Sequence, residues 1–182
     1  MMKKKGAMEM SVGTIVTIVL LMSVLVLGIF LIQRIFTSAS GAIDLTDQQL
    51  REEINKLFSE ENKISIYPGT RFIQIKQGKA DGVGIGIKNL DRGASGSNLF
   101  SYEVVGADVD DCGISKEEAE SWIITGKSEK DIPIASGDLI TDKILFRIPV
   151  GSPLCIAKFR INVKVDDKHY DTDSFNIEIR PK

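Results

Sequence analysis

Between Met10 and Gln33 the chain carries no charged residue. Within that stretch Ser11 to Ile32 form a run of 22 residues in which Ser11, Thr14, Thr17 and Ser23 are the only polar side chains. As a helix the run reaches about 33 Å, enough to cross a hydrocarbon core of roughly 30 Å. Thr14, Thr17 and Ser23 can each return a hydrogen bond to the helix backbone. A helix buried in a soluble core keeps a polar face, and this run has none. A cleaved secretory signal has a shorter apolar region and ends on an A-x-A-like site. Ala39 and Gly41 make a poor version of that site, after too long a run. The run therefore reads as a single membrane span. Lys3, Lys4 and Lys5 precede it, while Arg34 is the one base close behind it and Asp44 and Asp47 follow. Positive flanks stay in the cytoplasm, so the remainder of the chain is expected outside the cell.

Past the span the composition is that of a soluble domain. The whole chain is 26% charged with a net charge of −2, and no second Lys/Arg cluster follows Lys3–Lys5. Nucleic-acid binding needs a basic face to neutralise phosphates, so no nucleic-acid partner is expected.

The residues Lys4-Lys5-Gly6-Ala7-Met8-Glu9-Met10-Ser11, running straight into the apolar helix, resemble archaeal type IV pilin-like proteins with a class III signal peptide. The resemblance covers about the first 36 residues. It implies that a prepilin peptidase-like enzyme cuts between Gly6 and Ala7, with Lys5, Gly6 and Ala7 forming the processing site. The apolar helix is then retained as a filament stalk. It also implies that Glu9 neutralises the terminal amine of a neighbouring subunit, since a charge in lipid is costly unless paired. Glu9 would be the third residue of the mature chain, where the best-known pilins carry the acid at the fifth. The residues alone also allow Glu9 to rest at the interface, favoured by the helix N-terminus, on an uncleaved anchor.

Residues 37–42 are small and polar and read as a joint. Thr46-Asp-Gln-Gln49 then reads as a capping box. Leu50, Ile54, Leu57 and Phe58 follow as one apolar stripe, predicting an amphipathic helix over about 47–61. Its stripe is expected to pack on the outer domain.

From Lys63 onward the period becomes that of strands. Short alternating runs recur between Ile64 and Ile179, and in Lys158–Val165 the alternation is strict. With Gly, Pro and Asp turns between them, these runs predict an α+β chain. The N-terminal transmembrane and amphipathic helices are followed by an antiparallel, immunoglobulin-like β-sandwich of about seven strands. Ser115 caps one short helix at Lys116–Glu120. The expected organisation is a basic leader (1–6), the transmembrane helix (7–36), the linker and amphipathic helix (37–62) and an extracellular β-sandwich domain (63–182).

Cys112 and Cys155 are the two cysteines. An even count outside the cell points to a disulfide, and two buried thiols are the alternative. His169, the one histidine, is expected to be a solvated residue of the turn Asp166–Tyr170. Asp108, Asp110 and Asp111 begin like an EF-hand loop, but Cys112 and Ala119 stand where oxygen ligands are needed. A looser Ca²⁺ site on the three aspartates is what remains of that reading, and no cofactor is expected. Gly82-Val-Gly-Ile-Gly86 lacks the spacing and the following helix of a nucleotide loop. It reads as a strand whose glycine face admits close approach by another segment. No nucleophile–base pair assembles from the sequence, so no enzymatic activity is expected. The reading is a pilin-like subunit that self-associates or joins other pilin-like subunits, its β domain serving adhesion or assembly. The alternative is an uncleaved single-pass protein presenting a partner-binding sandwich.

Overall fold

The computed structural model describes residues 6–37, 42–59, 61–91 and 97–182. The chain forms two compact units, Met1–Ala39 and Ser40–Lys182. The first is built on α1 (Gly6–Thr37). Over Gly13–Leu31 this helix is long and apolar enough to cross a membrane, and none of that stretch is buried. Within it the Thr17 hydroxyl bonds to the Gly13 carbonyl and the Ser23 hydroxyl to the Val19 carbonyl, each at 2.8 Å. The polar atoms of those two side chains are thereby satisfied inside the helix.

The second unit opens with a 3-10 turn (Ala42–Asp44) and α2 (Asp47–Leu57). The capping box forms, with the Gln49 amide donating to Thr46 Oγ1 (3.3 Å) and the Thr46 amide donating to Gln49 Oε1 (3.0 Å). The helix stops at Leu57, four residues before the expected end, because Phe58 is extended. Nine strands follow among the described residues, against the seven expected. They are β1 (Ile64–Tyr67), β2 (Phe72–Lys76), β3 (Ala80–Lys88), β4 (Ser97–Asp108), β5 (Ile123–Thr125), β6 (Ser128–Ala135), β7 (Leu139–Arg147), β8 (Ile156–Val165) and β9 (Lys168–Arg180). A 3-10 turn (Asp110–Cys112) and α3 (Lys116–Glu120) lie between β4 and β5, with Ser115 accepting from the Glu118 amide as the expected cap.

The strands form two sheets, in the orders β1-β3-β7-β5 and β2-β9-β8-β4-β6. One pairing departs from the expected antiparallel sandwich. β2 runs parallel to β9, from Phe72 opposite Asn176 to Lys76 opposite Arg180. The reason is the β1–β2 connection, which carries the chain from one sheet to the other instead of folding back as a hairpin. Alternation fixes which face of a strand is buried; it is silent on the neighbour's direction.

Inward side chains of the two sheets make one core. On β8, Ala157, Phe159, Ile161 and Val163 are buried, while Lys158, Arg160 and Lys164 are exposed. Phe146, Phe159 and Phe175 cluster at its centre with ring centroids 4.9 to 5.8 Å apart. Truncating such a ring costs about 3–5 kcal/mol.

The outer face of the four-stranded sheet is covered by α2. Leu50 and Ile54 are fully buried there with Ala42, flanked by Leu45, Phe58 and Tyr67. Glycines make the approach possible. A Cβ on Gly84 would lie 2.2 Å from Leu50 Cδ1, and one on Gly86 would lie 2.4 Å from Ile54 Cγ2. Lys143 fixes the start of the helix, donating to the Leu45 carbonyl (2.6 Å) and pairing with Asp47 (3.0 Å).

Candidate functional site

Apart from His169, the residues singled out in the sequence fall at two places. Gly6 and Ala7 are the first residues of α1, and Glu9 lies on the same helix. Lys5 and the side chain of Glu9 lie outside the described residues.

Cys112 and Cys155 are joined, their Cα atoms 5.2 Å apart. Cys112 closes the 3-10 turn after β4, and Cys155 immediately precedes β8. The bond ties the segment between β4 and β5 to the β7–β8 loop. Val109, Ala119 and Trp122 of that segment are buried, so it plugs the end of the core.

The aspartates of the looser Ca²⁺ reading lie around the same turn. Among the described residues no group of three or more His, Cys, Asp or Glu side chains is arranged to hold a metal ion. Asp108 ends β4 opposite Lys158, while Asp110 and Asp111 stand exposed on the turn that carries Val109 and Cys112 inward. That backbone path serves burial and the disulfide. His169 also departs from its expected place. The turn is the two-residue loop Asp166-Asp167, both at positive φ (47° and 64°), and His169 belongs to β9. Asp tolerates that backbone region better than most residues, and two such positions suit a tight hairpin.

A third place is one that the sequence reading missed. Among the described residues the five-stranded sheet slips register at three points, and besides the one between Gly106 and Asp108 two of them matter here. β4 and β6 slip register between Phe100 and Tyr102, next to Asp131 at φ 58°. β8 and β9 slip between Val163 and Lys164. Bulges bend and twist a strand pair locally, and here they bound a groove of about 490 Å³ floored by Ser101, Asn162 and Lys164. Glu103, Lys130 and His169 line it as well. A second hollow of about 400 Å³ shares Ser101, Lys130 and Lys164 and reaches Asp131, Asp166 and Asp167.

The floor is ordered by a short chain of hydrogen bonds. The Thr172 hydroxyl donates to Asn162 Oδ1 at 3.3 Å, and His169 Nε2 lies 3.0 Å from the same hydroxyl. With the hydroxyl proton committed to Asn162, the imidazole is the donor to Thr172 and is not placed to abstract a proton from it. Lys130 and Lys164 form no ion pair among the described residues, although carboxylates line the same surface. Behind the groove the Tyr102 hydroxyl donates to Asp142, joining the two sheets. Burial first, then the hydrogen bond and charge of Asp142, raise the Tyr102 phenol well above its ordinary range. Glu129, opposite Tyr102 on β6, is also raised, by desolvation and then by the charge and hydrogen bond of Asp142. The arrangement offers hydroxyls, one amide, ammonium groups and carboxylates to a ligand, and it presents no nucleophile with a base aimed at it.

No protein-family model matches the chain, and no curated protein matches it. Among solved structures, a family 123 glycoside hydrolase from Clostridium perfringens shares 15% identity over 61% of this chain and 23% of its own, with a TM-score of 0.42. A CARDB domain from Pyrococcus furiosus, solved with di-metal ions, shares 9% identity over 66% of this chain and 93% of its own, with a TM-score of 0.41. A periplasmic chaperone shares 13% identity over 65% of this chain and 57% of its own, with a TM-score of 0.38. The chain thus spans less than a quarter of the hydrolase's length. Likenesses this distant assign neither a family nor an activity.

Proposed function

We propose that the chain is a pilin-like structural subunit of a surface filament. In this reading α1 holds it in the membrane, its leader stays in the cytoplasm, and its second unit stands outside the cell. The observation that carries the reading is α1 itself, a helix apolar on all sides and uncovered over Gly13–Leu31, entered directly from Lys3-Lys4-Lys5-Gly6-Ala7. Two further features support it. A disulfide suits an oxidising compartment. An apolar helix followed by an amphipathic one packed on a sheet matches the two-part plan of pilin stalks. We read the sandwich as immunoglobulin-like from its two facing sheets, although its disulfide ties an end segment to a loop.

Intact-mass analysis and N-terminal sequencing of the protein from its native host test the processing. The expected product begins at Ala7, and a chain that keeps Lys3–Lys5 overturns it. The position of Glu9, third in that product, favours a second reading as an uncleaved anchor presenting the sandwich to a partner. Crosslinking in native membranes separates the two. A ladder of self-linked species supports the filament, and a single fixed foreign partner supports the anchor.

A further inference from the structure

We propose that the groove on the outer face of the five-stranded sheet binds an acidic saccharide, an oligosaccharide chain bearing uronate carboxylates. The inference names a ligand class for the adhesive role in the reading above, but its structural basis is separate from how the chain is anchored or processed.

The groove is open. α2 covers the other sheet, whereas Glu103, Lys130, Lys164 and His169 are exposed on this one. At about 490 Å³, with a further 400 Å³ adjoining, it lies in the range of small-ligand sites, roughly 300–1,000 Å³. Lys130 and Lys164 line both hollows and neither ammonium is paired among the described residues, so an incoming anion displaces no carboxylate from them. Charge-assisted hydrogen bonds of this kind are the strong ones.

The other lining groups decide which anion. Glu103, Asp131, Asp166 and Asp167 share the surface, so a polyanion such as nucleic acid or polyphosphate would meet four carboxylates as well as two ammonium groups. A saccharide uses both kinds of group. Its carboxylate goes to the lysines, and its hydroxyls donate to the acids and exchange bonds with Ser101, Ser128 and Asn162. A peptide fits less well. Apart from Leu99 the exposed lining is polar, and the neighbouring sheet edge on β6 is interrupted by Asp131 at φ 58° and by Pro133, which has no amide to donate to an added strand.

The test uses the full chain in lipid nanodiscs, titrated by calorimetry with tetragalacturonate, with a neutral tetrasaccharide and with tetraglutamate. Saturable binding of tetragalacturonate at millimolar concentration is expected, several-fold weaker at high salt because the lysines are exposed. The neutral sugar and the acidic peptide are each expected to bind about tenfold more weakly or worse. The double variant Lys130→Gln/Lys164→Gln is expected to lose about tenfold in affinity. Lys116→Gln, on α3 and outside the groove, is expected to bind as the parent does. Absence of saturable binding, equal binding of the neutral sugar or of tetraglutamate, or full affinity in the double variant would each overturn the proposal. Both glutamine variants are surface changes, and unaltered melting curves verify that affinity is being read. A chain that retains its lysine leader and still binds tetragalacturonate refutes the pilin reading and leaves this one standing.

Discussion

At the scale of single residues, two kinds of position are under visible constraint. Gly86 admits Ile54, a β-branched side chain with little freedom to move aside. Gly86→Ala is expected to destabilise the second unit by about 1–3 kcal/mol, read from chemical denaturation. Combining it with Ile54→Ala should cost less than the sum of the two single changes, because the cavity left by one accommodates the methyl of the other. The second kind is the carboxyl of Glu129, held above its ordinary value by desolvation and by Asp142. The folded state then binds that proton more tightly than the unfolded chain does. Stability from the group is present in full below the unfolded value and is lost as pH rises through the raised folded one. Glu129→Gln, fixed in the neutral state, should therefore melt above the parent near neutral pH and alongside it near pH ~4. The side chain is largely exposed, so the gain stays below about 1 kcal/mol. The glycine face was legible as a face open to close approach; the Glu129–Asp142 encounter was not, since it joins β6 to β7 across the two sheets.

At the scale of elements, caps and alternation follow local chemistry, whereas where β6 and β9 begin does not. The capping box at Thr46, the cap at Ser115 and the strict alternation of β8 all formed as their residues required. β6 and β9 each begin earlier than their apolar runs. Ser128–Asp131 is exposed on both faces at a sheet edge, and Tyr170 is the one buried residue of Lys168–Ser174, so period-two burial gave no signal there. The disulfide was legible from cysteine count and the inferred compartment, and what it fastens was not. Replacing both Cys112 and Cys155 with Ser opens a loop with a separation of 43 residues. The expected cost is about 4 kcal/mol in the chain-entropy model, and the end segment with Trp122 should be the first to lose amide-exchange protection. Loss of that protection only at global unfolding would argue against a fastening role.

At the scale of the molecule, the two units differ in what they leave exposed: α1 is apolar and uncovered over Gly13–Leu31, whereas the second unit buries its apolar side chains. The full chain is expected to partition wholly with membranes, and to remain there after alkaline or high-salt washing, because the apolar surface of Gly13–Leu31 has no cover within its own unit. A full-length product freely soluble without detergent would contradict the anchor. Local sequence was enough for the apolar helix, the amphipathic helix with its cap and stripe, the inward faces of the strands and the identity of the cysteine pair. Each of these depends on residues close together in the chain, or on a count so small that one pairing exists. It took the packed fold to pair β2 with β9 in parallel and to let two bulges from distant strands hollow a groove beside Lys130 and Lys164. Those features arise where segments far apart in sequence meet, and the free energy that selects among such meetings belongs to the whole packed core, not to any local pattern.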